Sequence, residues 1–202
     1  PAAFTDRIHQ EEIRMSDPSG ETGAVLDDGS APATARDLLG RLETLDIATR
    51  TIEHPPVFTV EESKDLRGEL VGGHTKNLFL RNKKGRMWLV TCLEDRNVDL
   101  KALGTALEGG RLSFGSADRL MRFLGVIPGA VTPFAAINDR GGAVQVALDR
   151  RMLDDHDVLN FHPLDNAMTT AIGSADLVRF LEAIEHPPIH LDDSAFGGAA
   201  TD

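Results

Sequence analysis

Leucines at 38, 39, 42 and 45 recur at helical spacing behind Thr34, so TARDLLGRLETLDI predicts a capped helix. ATRTIEH alternates as a strand does and stops at Pro55-Pro56. TVEESKDLRGEL predicts a short helix in which Thr59 and Glu62 form a capping box. In NLFLRNKKGRMWLVTCL two apolar runs flank a polar turn at Asn82 to Gly85, the pattern of a hairpin. VDLKALGTAL and SADRLMRFLG carry helical periodicity. FAAIN, GGAVQVALD, VLNFHP and MTTAIG predict strands, with a turn at Asp139 to Gly142. SADLVRFLEAIEH predicts a closing helix that ends before Pro187.

Strands outnumber helices and short turns join most of them, which predicts an α+β domain with a mixed, largely antiparallel sheet. Apolar periodicity spans residues 34–191. Residues 1–33 lack it and predict a flexible acidic tail, and residues 192–202 predict a second, disordered tail. No Gly-rich phosphate loop follows the first strand, which excludes a Rossmann or P-loop reading. The 202 residues suffice for one domain with a substantial core. No apolar run is long enough to cross a bilayer and no secretory leader opens the sequence, so the expectation is a cytoplasmic protein without membrane contact.

The net charge of -11 argues against a long duplex-binding surface. Its distribution is uneven. Residues 1–35 hold seven acids against two bases, whereas residues 76–122 hold ten bases against five acids. A basic region inside an acidic protein fits a small phosphate footprint, although a solvated charged face would look the same.

Candidate chemistry is sparse. Cys92 is the only cysteine and sits mid-strand, where a buried thiol acts as a small hydrophobe. The seven histidines form no close ligand pair with one another or with Cys92, so no metal or other cofactor is expected. No serine occupies a nucleophile elbow and no carboxylate pair stands out. What remains is GVIPGAVTPF, Gly125 to Phe134, which is apolar yet holds two glycines and two prolines. Neither helix nor central strand accepts that pattern. A rigid turn whose backbone N–H groups bind an oxyanion would account for it, as would a tight buried connection.

HTKNLFLRNKKGRMWLV, GVIPGAVTPFAAIND and VLNFHPLDNAMTTAI together resemble the YbaK and prolyl-tRNA-synthetase-associated editing superfamily, over residues 34 to 191. HPPVFTVEES and SFGSADRLMRFLGVIPGAVTPFA are similar to its free-standing members, the ProXp-ala and PrdX-like alanyl-tRNA(Pro) deacylases. The resemblance implies a partly closed sheet flanked by helices. It also implies hydrolysis of the ester of mischarged Ala-tRNA(Pro), repairing an error that a pocket sized for proline cannot exclude by binding alone. It carries the family lysine onto Lys76, followed by Asn77. Its G-x-x-x-P loop falls on Gly129, Ala130, Val131, Thr132 and Pro133, and its pocket histidine on His162. The catalytic set it implies is Lys76, Gly129, Pro133 and His162. Asn77, Ala130, Val131 and Thr132 would hold substrate, with Arg81, Lys83 and Lys84 toward the tRNA(Pro) acceptor stem.

An ester needs little catalytic apparatus. The loop backbone would hold the carbonyl and orient water, with a ribose hydroxyl of the terminal adenosine assisting. Prolyl-tRNA synthetase or elongation factor would be transient partners. The alternatives are a deacylase for serine or cysteine on tRNA, and a non-catalytic tRNA-binding module.

Overall fold

The computed structural model describes residues 24–55 and 71–197. The helix expected in TVEESKDLRGEL lies outside the described residues. Thr34 opens helix α1, Ala35–Thr44: its hydroxyl accepts from the Asp37 amide at 3.3 Å, and the Asp37 carboxylate accepts from the Thr34 amide at 2.8 Å. The periodic leucines then do what their spacing predicts, and Leu38 and Leu42 are fully buried.

The strands are β1 Thr49–Glu53, β2 Thr75–Asn82, β3 Met87–Leu93, β4 Leu112–Phe114, β5 Val144–Asp149, β6 Val158–Phe161, β7 Met168–Gly173 and β8 Ile189–Leu191. Helices α2 Leu100–Ala106, α3 Ala117–Leu124, α4 Arg150–Asp155 and α5 Ser174–Ala183 interleave with them. One sheet has the order β1-β7-β6 and the other β4-β2-β3-β5-β8. The β3–β5 and β5–β8 pairs are parallel, and the rest are antiparallel. The fold is therefore α+β with mixed, mostly antiparallel sheets, but it is not closed. β7 uses both its edges, and among the described residues the backbone pairing of β6 with the segment leading into β2 is an isolated bridge from Leu159 to Gly73.

Strand alternation sorts the larger sheet into two faces. Leu80, Trp88, Val90, Cys92 and Ala147 meet α2 and the C-terminal turn. Phe79, Met87, Leu89 and Val144 meet α3, Ala130 and Ala135 on the other face. Between the sheets lies the main core, where Phe134 packs edge-on against Phe161 and Phe180, with ring centroids 5.6 Å apart in each case. The β2–β3 hairpin is set by Asn82, whose side-chain oxygen accepts from the amides of Lys84 at 2.9 Å and Arg86 at 3.1 Å.

Three expectations change. FAAIN is not a strand: Pro133–Asn138 is a 3-10 helix, because the Thr132 hydroxyl accepts from the Phe134 amide and Pro133 suits a helical first turn. Residues 24–33 are not free: Leu26 is buried, Arg122 donates to Asp27 at 2.6 Å, and the Ala33 amide donates to Asn138 at 2.8 Å. Residues 192–197 also dock, with Asp193–Phe196 forming a 3-10 turn that buries Ala195 and Phe196. Single apolar residues in polar surroundings carry no period, so neither docked segment is visible as a pattern.

Candidate active site

The Gly129 loop is built by a turn. The Ala130 amide donates to the Ile127 carbonyl at 3.0 Å, and Gly129 takes φ 93° at the corner. That conformation suits glycine and strains any residue with a Cβ. Ile127, Pro128 and Gly129 are exposed, whereas Ala130, Thr132 and Pro133 are buried. The loop is thus anchored at one end and presents bare backbone at the other. Among the described residues the amides of Gly129 and Val131 have no hydrogen-bond acceptor.

Asn77 and Thr91 lie directly opposite each other on the face that receives Ala130, and the Thr91 hydroxyl donates to the Asn77 side-chain oxygen at 2.8 Å. This bond fixes the amide so that its NH₂ is the group left to offer. Thr91 is a residue that sequence reading missed, because a buried threonine inside an apolar strand gives no periodic signal.

Lys76 does not join this group. It pairs with Cys92 on the opposite face, and its ammonium donates to the Arg96 carbonyl. Lys83 and Lys84 are exposed at the hairpin turn, seven and eight residues further along, roughly 20 Å from Lys76 at strand rise. Arg81 faces the α3 side, opposite Ser113 of β4. The sequence-derived basic set therefore lies along the hairpin rather than around one point.

His162 follows β6 and is half-buried. Its Nδ1 sits 2.8 Å from the Met168 carbonyl, which accepts only, so Nδ1 carries the proton and Nε2 holds the lone pair. Burial pushes its pKa below the ordinary imidazole value, outweighing the bond to Met168, and favours the neutral ring. His54, just past β1, faces it with ring centroids 6.0 Å apart. His54 Nδ1 lies 2.9 Å from the Pro55 carbonyl and its Nε2 2.8 Å from the Thr169 hydroxyl, so it takes the same tautomer. Leu164, two residues beyond His162, packs against both the main core and the cluster that contains Ala130. Leu164 thus links the histidine segment to the cluster on the side of the sheet where Ala130 packs.

The arrangement supplies backbone donors on a rigid loop, a fixed carboxamide and a neutral imidazole. That set can bind and polarise a carbonyl compound without a side-chain nucleophile. Among the described residues, no three His, Cys, Asp or Glu side chains gather as metal ligands would.

The fold and this site define a domain of the kind that edits aminoacylated tRNA. A profile of the aminoacyl-tRNA editing domain matches residues 54–180, which include Lys76, the Gly129 loop and His162. The mouse prolyl-tRNA synthetase associated domain-containing protein 1 is 39% identical over 160 residues, covering 77% of this chain and 94% of that protein. The prolyl-tRNA editing protein ProX of Acetoanaerobium sticklandii is 37% identical over 147 residues, covering 72% of this chain and 89% of that protein. A crystal structure described as a candidate trans-editing enzyme for prolyl-tRNA synthetase shares the fold, with a TM-score of 0.62 and 22% identity over 81% of this chain and 98% of that chain. This chain belongs to the aminoacyl-tRNA editing domain family, in its YbaK/ProX-like branch.

Proposed function

We propose that this aminoacyl-tRNA editing hydrolase acts on Ala-tRNA(Pro), with the Gly129 loop as its carbonyl-binding surface. The observation that carries the loop's role is Gly129 itself: exposed, at φ 93°, between buried anchors, beside amides that have no acceptor among the described residues. In the reaction a water oxygen adds to the ester carbonyl, and the loop amides stabilise the oxyanion. The bond from carbonyl carbon to ribose oxygen then breaks, and the ribose oxygen takes a proton. Alanine and free tRNA leave. The neighbouring ribose hydroxyl would relay the proton, which fits a site without an evident general base. His162, neutral and fixed by the Met168 carbonyl, would line the aminoacyl pocket.

The test is Gly129→Ala. The added Cβ makes the left-handed conformation cost about 1–2 kcal/mol and crowds the carbonyl. Loss of one oxyanion donor costs roughly 10²–10³ in rate, and a single-turnover deacylation defect of that size is expected, with tRNA binding retained. Hydrolysis at the wild-type rate would make the loop a mere connector.

A further inference from the structure

Arg96 stands between Lys76 and the C-terminal turn. Its backbone carbonyl accepts the Lys76 ammonium, and its side chain points into a ring of partners. Nε lies 3.3 Å from Asp149 Oδ2, and a terminal nitrogen contacts Asp193. The guanidinium carbon sits 4.7 Å from the centroid of the Phe196 ring. Asp149 is fully buried and also caps α4 through the Arg151 amide at 3.2 Å. Phe196 and Ala195 pack with Leu103 and Leu107 around α2.

Neither Arg96 Nε nor Asp149 Oδ2 makes an aligned hydrogen bond, although the two atoms are in ion-pair contact. A terminal nitrogen of Arg96 also donates to Asp149 Oδ1 at 3.4 Å, and Asp193 and Phe196 close over the guanidinium from the C-terminal turn. Both carboxylates go to Arg96. Among the described residues Lys76 has no carboxylate within ion-pairing distance, and its ammonium is held by the Arg96 carbonyl. A backbone carbonyl aims a lysine without neutralising it.

We propose that Arg96, gripped by Asp149, Asp193 and Phe196, is the positioning residue for Lys76, and that the C-terminal turn thereby belongs to the functional site, directing the Lys76 ammonium at a phosphate of the tRNA. This rests on the family reading of Lys76 as a substrate-contacting residue. Arg96 acts through Lys76 and touches no substrate.

The experiment uses the full chain with labelled lysines and two mild variants, Asp193→Asn and Phe196→Leu, each checked by thermal melt. The Lys76 ammonium resonance, assigned by its loss in Lys76→Ala, is expected to show slowed proton exchange in the wild type. Both variants should move it toward free lysine. Single-turnover deacylation in the variants should fall about tenfold, within the range for residues coupled in one network, and far less in a Lys76→Ala background. An unchanged Lys76 resonance in both folded variants would overturn the positioning role, as would equal losses in both backgrounds. Wild-type deacylation by Lys76→Ala would instead overturn the reading of Lys76, while the resonance would still report whether the turn holds it.

Discussion

Two buried polar residues and one thiol illustrate what single side chains contribute. Cys92 is fully buried, and burial pushes its thiol up to about 12. It is expected to resist a thiol reagent in the native protein and to react only on unfolding. Rapid native labelling would contradict that. His186 and Asp139 form a pair that is nearly solvent-free, 3.1 Å apart, and the other His186 nitrogen lies 2.8 Å from the Ile184 carbonyl. With acceptors on both nitrogens the ring is held as imidazolium. Burial opposes its charge, but the bonds to Asp139 and Ile184 outweigh burial and raise its pKa. Burial likewise opposes the Asp139 carboxylate, and bonds from His186 and the amides of Val144 and Ala143 outweigh it and lower its pKa. The His186 contribution is complete below the unfolded imidazole value and is lost as pH rises through the raised folded one. The Asp139 contribution is present above the unfolded carboxyl value and is lost as pH falls through the lowered folded one. Asp139→Asn should therefore lower the melting temperature more at pH 6 than at pH 9. A gap that stays constant across that range would refute the pair.

At the scale of elements, the amphipathic helices and the β2–β3 hairpin were legible because each repeats a period. The Gly129 loop was legible for the opposite reason: its composition fits no period. What stayed hidden depends on partners far along the chain. Asn77 and Lys76 are neighbours in sequence, yet alternation puts them on opposite faces, and only the pairing with Thr91 and Cys92 shows which face meets the loop. The short strands β4 and β8 give too few residues for a pattern. The docking of residues 24–33 follows from one buried leucine, two ion pairs and one side-chain bond. It predicts that a chain lacking residues 1–33 melts below one lacking only residues 1–23. Removal of residues 1–33 exposes the surface that Leu26 covers, worth about 2 kcal/mol, and should lower the midpoint by roughly 4–8 °C. Equal melts for the two truncations would mean that Leu26 contributes nothing.

The whole molecule places the exposed backbone of the Gly129 loop and the fixed Asn77 on one side of the larger sheet, and Lys76 with the C-terminal turn on the other. On the proposed reading a substrate that uses both would reach around the hairpin, and the exposed Lys83 and Lys84 at its turn would meet more distant phosphates. The 3′ end of a tRNA, a flexible single strand leading to a charged stem, has that shape. The central claim is that this domain removes alanine from tRNA(Pro) and spares proline. Its most direct test is single-turnover hydrolysis of Ala-, Ser-, Cys- and Pro-tRNA(Pro) by one preparation of the full chain. The account predicts fastest hydrolysis of Ala-tRNA(Pro), with Pro-tRNA(Pro) slower by about 100-fold, the discrimination a closely fitted pocket can supply. Equal hydrolysis of the alanyl and prolyl esters, or release of neither, would contradict it.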